Sequence, residues 1–569
     1  MSLLTLASNG QTDWTIILPP SPIPSERYAA EELSSILHTI TDAPFQIAED
    51  PIQEGHQILL RIDDSMDKEE FSIRTEGESL ILTGGRPRGV LYAVYELLDK
   101  VFGCRWFTPE VSRIPKRRFL ELPPLDLHKK PALSYREDYN RCAFEGTWAA
   151  RNRLNGPVNR VLEKHGGTIR YNRPSGGAHS FGLLVPVEEY FDSHPEYFSE
   201  VNGVRIKDHT QLCLTNPDVI EISKRRVLSW IRQDPEAELI AVAQNDWYNP
   251  CQCPACRAID EREGTHAGTL ITFVNQIAEA VAAEYPDKKL GVLAYQYTRK
   301  PPKTLRVHPN VVIRLCSIEC CFTHPLRSCR EIMSFRGRTE SSSSFMDDLK
   351  GWARICDTIH IWDYTTDFMH YLMPFPNFHV LKDNINFFIE NHAAGIFEQG
   401  NGDSMGGELQ ELRSYLIARL LWDPDLDTDQ EMLEFLTAFY GQASSRIYRY
   451  IRLMRKKVVD ENIHMGIYGP PTVAYLSEDI LSQAEALLAE AERLADDEII
   501  LERVKKLSLS LFYTRVARLS KDAPDRAQKV EDLFRAVDRF GIRRIRELRD
   551  NATMRRLFDE CPDDLHYHQ

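Results

Sequence analysis

Hydrophobic positions in the first 125 residues follow two alternating periods. Trp14-Thr15-Ile16-Ile17-Leu18 is a strand-like run that stops at a proline-rich turn. Pro24-Ser25-Glu26 then opens a helix with an acidic first turn, and Tyr28, Ala29, Leu33, Ile36, Leu37 and Ile40 fall on one face of it. Further strands are expected at 58–62, 71–75 and 80–83, the last two separated by a turn containing Gly77, and a second amphipathic helix at 88–101. Together they describe a small α/β domain over residues 1–125. It gathers no cluster of titratable groups, so its expected role is packing or positioning.

Prolines and charges at 122–131 mark a linker. Beyond it, short apolar runs alternate with helical segments, the pattern of parallel βα units. Candidate strands fall at 132–135, 178–181, 211–214, 239–243, 290–295, 311–316, 359–362 and 395–397, with crossover helices at 220–233, 269–285, 345–356 and 381–391. Eight strands is the number of a (β/α)8 TIM-type barrel, expected over 130–407, although Gly176-Gly177 makes the second strand resemble a loop. From about 408 the strand signal stops. Helical patterns at 409–421, 430–440, 445–460, 480–495, 498–519 and 527–549 predict a helical region reaching 569.

Composition narrows the partners. Of 569 residues, 43% are hydrophobic and 27% charged, as in ordinary globular chains, and no apolar run is long enough for a membrane span. The net charge of −15 and the lack of a basic face disfavour nucleic acid and anionic membranes and leave neutral ligands such as oligosaccharides easy to accommodate. The N-terminus shows no export pattern, so a cytoplasmic location is expected; a homo-oligomer is left open. No phosphate-cradling glycine loop occurs, and no cofactor is expected.

In a parallel barrel the chemistry sits just past the C-terminal ends of the strands. Those positions hold Asp138, Asn140, His179, Asn245, Asp246, Trp247, Tyr295, Tyr297, Glu319, Trp362, Asp363, Tyr364, Glu398 and Gln399. Carboxyls flanked by aromatic rings suit glycoside hydrolysis, in which sugars stack on rings and an acid protonates the leaving oxygen. Where a substrate carries a 2-acetamido group, its carbonyl oxygen can itself attack the anomeric carbon. The protein then supplies an acceptor for the N–H and a general acid. Asn245 or Asp246 could be that acceptor; Asp246, Glu319 or Glu398 the acid. Each has a plainer reading: an Asn-Asp turn, an ion pair from Glu319 to an arginine such as Arg314 or Arg327, and a link from Glu398 to the turn at Asn401-Gly402. Trp362 could equally be core, and His179 and His324 could bind sugar hydroxyls or simply pack.

Cysteines cluster at 251, 253 and 256 and again at 316, 320, 321 and 329. Cys251-x-Cys253-x-x-Cys256 lacks a second pair at zinc-finger spacing, so buried thiols or a loop-fixing disulfide are expected and no metal is assigned. A nucleophilic cysteine near His324 is the weaker idea, because such pairs meet in space rather than in sequence.

The runs VAQNDWYNPCQCPAC, RLCSIECCFTHPL, IWDYTTDF with PFPNF, and GIFEQG resemble the family once called domain of unknown function 4838, now glycoside hydrolase family 163. The resemblance covers about residues 130–410. For this bacterial family it implies a metal-independent (β/α)8 endo-β-N-acetylglucosaminidase hydrolysing the β-1,4 bond between the two core N-acetylglucosamines of N-glycans, with Asn245, Asp246, Glu319 and Glu398 as the carried-over positions; the leading expectation is a retaining, substrate-assisted mechanism. Its rivals are an α-glucuronidase-like hydrolase, with Arg136 or Arg314 facing a uronate, and a non-catalytic carbohydrate-binding protein.

Overall fold

The computed structural model describes residues 3–51, 55–333 and 343–560. The chain divides into two compact units. The first comprises 1–168, 409–445 and 494–501; the second comprises 169–408, 446–493 and 502–569. The proline-marked stretch at 122–131 therefore lies inside the first unit, and the helices beyond 407 are shared between both. Among the described residues no helix is long and apolar enough to cross a membrane.

The first unit is built on a six-stranded mixed sheet in the order Asp126–Lys129, Phe71–Glu76, Ser79–Gly84, His56–Ile62, Trp14–Ile17, Gln46–Ala48. Helix Pro24–Thr41 buries Ala29, Leu33, Ile36, Leu37 and Ile40, the face expected from their spacing. The helix expected at 88–101 runs as Gly89–Glu96 and continues to Val101 in a wider turn. The strand expected at 132–135 lies at Tyr135–Asp138.

The second unit holds a curled parallel half-barrel sheet whose strands neighbour one another in chain order: Leu239–Ala241, Lys289–Ala294, Val311–Cys316, Ile359–Tyr364 and Ala393–Gln399. Every residue of Val311–Cys316 is buried, as expected for a strand covered on both faces. The intervening helices Pro217–Gln233, Ala267–Glu284, Phe345–Ala353 and Phe378–Glu390 fall where the periodicity placed them.

Two of the eight expected strands do not form. At 178–181 the chain is a loop leading into the short helix Phe181–Leu184. Side chains take the place of a ladder at the edge of Leu239–Ala241: Ser175 Oγ accepts from Ala241 N (3.0 Å), while Ser180 Oγ donates to Ala241 O (2.8 Å) and accepts from Ala243 N (3.0 Å). These two hydroxyls and a parallel bridge from Tyr171 to Leu239, in which Asn172 N donates to Leu239 O (2.7 Å), satisfy the strand's free groups. At 211–214 only one isolated bridge forms, Phe198 to Leu212. Gln211 instead turns its side chain to the Asn245 loop.

The last expected helix, 527–549, is interrupted. Arg526–Arg539 ends at Gly541, whose φ of +63° is the left-handed conformation that terminates helices, and a new helix starts at Asn551.

Candidate functional site

The mouth of the half-barrel is assembled from the residues that follow its strands. After Leu239–Ala241 the chain passes through Gln244 and Asn245 to Asp246, which is exposed. Asn245 is committed to the scaffold: its Nδ2 donates to Thr210 O (3.0 Å), its Oδ1 accepts from Gly182 N (2.9 Å), and its backbone N–H donates to Gln211 Oε1 (3.0 Å). Trp247 likewise donates its indole N–H to Thr210 O at 2.7 Å. These bonds fix the loop and leave the Asp246 carboxylate facing outward. The Tyr295 hydroxyl, reached from the next strand, donates to Asp246 Oδ1 at 3.0 Å.

Tyr295 is 6% exposed, and burial followed by the nearby Asp246 charge holds its phenol well above the usual range. The Tyr364 phenol is raised in the same way, with Cys316, Tyr295, Tyr468 and Asp246 acting on it. Tyr295 follows the second strand and Tyr364 ends the fourth, where an aromatic floor forms. Trp362 extends it, lying 6.4 Å from Tyr364 centroid to centroid and 4.9 Å from Phe397. Arg314 sits over Trp362 (4.4 Å) and Phe397 (4.7 Å). Trp362 Nε1 donates to Gln399 Oε1 at 2.7 Å, and Gln399 Nε2 reaches Glu547 Oε1 at 3.4 Å. His179, half-buried, meets Gln244 O at 2.8 Å through Nδ1 and packs edge-on to Tyr295 at 6.0 Å.

Other expected members stand elsewhere. Side chains alternate along a strand, so His360, Trp362 and Tyr364 share one face and Ile361 and Asp363 the other. Register pairs Asp363 with Glu398, and Ser317 Oγ donates to Asp363 Oδ1; this buried carboxyl row lies on the face opposite Trp362. Burial pushes the Asp363 pKa up to about 6. Glu319 is fully buried at 3.4 Å from Arg299 Nη1, and Arg299 Nε also holds Asp348 at 2.8 Å. The ion-pair reading of Glu319 thus applies, with Arg299 as a partner; Arg327 pairs with Asp383 and Glu390.

Tyr297 turns away from Tyr295 because Gln296 between them has a φ of +51°. It lines a separate cleft of about 400 Å³ with Tyr248, Asp260 and His266. In the first unit, Arg136 is fully buried against Glu69 (2.8 Å), and Asp138, accepting from Asn140 and Ser414, is pushed by burial up to about 7.

The two cysteine groups each acquire partners from distant sequence. Cys251, Cys253 and Cys256 meet Cys213, which stands 40 positions before Cys253. All four are buried and none is in a disulfide, so of the two expectations, buried thiols or a loop-fixing disulfide, the disulfide does not form. Cys321 and Cys329 meet His324 and His464. His324 is therefore placed in a sulfur and imidazole cluster, not on the aromatic floor. Both clusters have the donor types that hold metals.

The family model described as domain of unknown function (DUF4838) matches residues 106–452. The chain belongs to this family. A search of curated proteins found no match. Among solved structures, the chain resembles a family GH115 4-O-methyl-α-glucuronidase with specificity for decorated arabinogalactans. The TM-score is 0.57 at 12% identity, over 100% of this chain and 80% of that one. It also aligns with a GH20 exo-β-N-acetylglucosaminidase from Vibrio harveyi (TM-score 0.42, 12% identity, 79% of this chain and 76% of that one). A β-N-acetylhexosaminidase from Bacteroides fragilis aligns with a TM-score of 0.41 at 13% identity, over 79% and 93%. The first of these likenesses is one of fold.

Sequence reading missed Glu547, Tyr468 and Cys213. The first two enter the mouth from segments beyond residue 446, and no strand-end rule points to them. Cys213 lies within the expected strand at 211–214, apart from both cysteine runs, and nothing in its spacing points to Cys251, Cys253 and Cys256.

Proposed function

We propose that the protein is a glycoside hydrolase that works at the mouth of the half-barrel on β-linked sugars bearing a 2-acetamido group, N-glycan-type core oligosaccharides among them. The observation that carries this reading is the Asp246–Tyr295 pair. An acetamido group presents one N–H donor and one carbonyl acceptor. A carboxylate beside a phenol offers the complementary acceptor and donor on adjacent atoms. Asp246 accepts the N–H while Tyr295 donates to the carbonyl oxygen, aiming that oxygen at the anomeric carbon. As the ring forms, the nitrogen gains positive charge, which the Asp246 carboxylate stabilises. The Trp362 and Tyr364 rings stack the sugar. Glu547, joined to Trp362 through Gln399, donates the proton to the leaving oxygen. Glu319 and Glu398 hold the strand ends that present these groups. The GH115 fold likeness and the family resemblance both support hydrolysis of a glycosidic bond at this end of the sheet.

The test is a product screen of wild type, Asp246→Asn and Tyr295→Phe on oligosaccharides containing N-acetylglucosamine or glucuronate. Wild type is expected to release N-acetylglucosamine-terminated products, with Asp246→Asn slower by about 10²- to 10⁴-fold. Glu547→Gln should lose most activity on unactivated substrates and little on aryl glycosides with acidic leaving groups, which need no protonation. Near-full activity in Asp246→Asn would end the assignment.

A second reading rests on Arg314, whose guanidinium lies in the wall beside Trp362 and Phe397 and could pair with a uronate carboxylate. Turnover of glucuronides alone, abolished by Arg314→Lys, would favour it.

A further inference from the structure

We propose that the chain carries two structural zinc ions, one held by Cys213, Cys251, Cys253 and Cys256 and the other by Cys321, His324, Cys329 and His464. In each group the four candidate donor atoms lie within 4.8 Å of one another. Cys213 Sγ is 3.7 Å from Cys253 Sγ and 4.0 Å from Cys256 Sγ. Zinc bound by four thiolates at about 2.3 Å places its sulfurs at the corners of a tetrahedron with edges of about 3.8 Å. A disulfide would bring one pair to about 2.05 Å, which none shows. A single ion fits this compact set better than an iron–sulfur cluster does, since a cluster interposes its own sulfides between the cysteines.

The surroundings favour thiolates over packed thiols. Cys251 Sγ faces the Glu200 backbone N–H (3.4 Å) and the Arg205 guanidinium (3.5 Å). Cys253 occupies the position just before helix Pro254–Glu263, and Cys256 lies in its first turn, where the peptide dipoles attract negative charge. A neutral sulfur pocket requires neither a cation nor a helix terminus; a dianionic zinc–tetrathiolate benefits from both.

The second site stands on its own distances. Cys321 Sγ lies 3.2 Å from His324 Nδ1 and 3.3 Å from His464 Nδ1, and Cys329 Sγ is 3.8 Å from His464 Nδ1. Zinc with bonds of about 2.05 Å to nitrogen and 2.3 Å to sulfur gives N···S separations of about 3.6 Å. The His324 and His464 rings stack at 4.3 Å, and both Nδ1 atoms lie beside Cys321 Sγ.

With four protein ligands each, both sites are closed and leave no position for substrate. Their placement gives them a role. The first clasps the loop that carries Asp246 to the segment around Cys213. The second ties the loop after Glu319 to the segment that carries His464 and Tyr468. Both ions hold catalytic-mouth loops without touching the chemistry, and the proposal stands whether or not the protein cleaves acetamido sugars.

The experiment is elemental analysis and zinc-edge X-ray absorption on the full chain, produced with zinc and purified without chelator. About two zinc ions per chain are expected, with an averaged shell of about three sulfurs and one nitrogen. Cys213→Ser should keep about one, with a two-sulfur, two-nitrogen shell, and His464→Ala about one with four sulfurs. Absorption on wild type decides the matter if either variant fails to fold. Zinc well below one per chain, iron in its place, or a shell of oxygen ligands overturns the proposal. A sole zinc with an all-sulfur shell overturns the second site, and one with a mixed shell overturns the first.

Discussion

Asp246 is exposed, whereas Glu319, Asp363 and Glu398 at the neighbouring strand ends are buried to 1–3%. That difference decides their chemistry. A carboxyl that substrate can reach must sit on the open face, and strand alternation sends Asp363 and Glu398 to the other one. Asp363 then becomes a stability element whose sign is fixed by its surroundings. Its pKa is about 6 in the folded chain, against an ordinary value of 3.8, because burial penalises the charged form. The folded state therefore holds this proton more tightly than the unfolded state does. The contribution is fully present below about pH 4 and is lost as pH rises to about 6. Asp363→Asn removes the ionisation. Between about pH 4 and 7, wild type should lose on the order of 3 kcal/mol relative to the variant, read from paired urea titrations. Parallel pH profiles for the two proteins would show that Asp363 does not ionise across this range.

At the scale of elements, the five parallel strands and their crossover helices were legible because runs such as Val311–Cys316 are apolar throughout and separated by amphipathic helices. The two missing strands were not legible. At 178–181 the signal was a short apolar segment, yet what completes the sheet edge is a pair of serine hydroxyls and a single backbone bridge from Tyr171, and neither carries a strand pattern. The candidate carboxyls were found from their strand-end positions, but burial was invisible: nothing around Glu319 in sequence indicates that Arg299 will reach it. Arg299 binds Glu319 from the third strand's loop and Asp348 from helix Phe345–Ala353, so one guanidinium joins two elements. Arg299→Met removes the guanidinium that pairs with both buried carboxylates. Breaking a buried pair costs about 3–5 kcal/mol, and the denaturation midpoint should fall accordingly. A midpoint unchanged within error would mean that the two acids are neutral and the ion pairs contribute nothing.

At the scale of the molecule, chain order and compact units disagree, and the disagreement is physical. Residues 409–445 read as the start of a helical tail, but they belong to the first unit, together with 1–168. Helix Gln410–Trp422 is buried on nearly every position, so its pattern lacks the polar face by which a packing partner could be inferred. Its polar atoms show where it belongs: Trp422 Nε1 donates to Glu96 at 3.0 Å, Arg419 binds Asp99, and Ser414 Oγ donates to Asp138. The second unit has the same dependence on later chain. The Gly469 N–H donates to Asp367 at 2.7 Å, and the Tyr513 hydroxyl meets His370 Nδ1 at 2.6 Å. A fragment ending at residue 407, the boundary suggested by the loss of strand pattern, therefore strips both units at once. It leaves Glu96, Asp99 and Asp138 in the first without those partners, and in the second it removes the segments that close the mouth. Such a fragment should express mainly as aggregate, and any soluble fraction should lack a cooperative melting transition and be cut rapidly by protease at low concentration. A soluble 1–407 fragment that melts cooperatively near the full chain's temperature would instead show that the later helices only decorate a barrel able to fold without them.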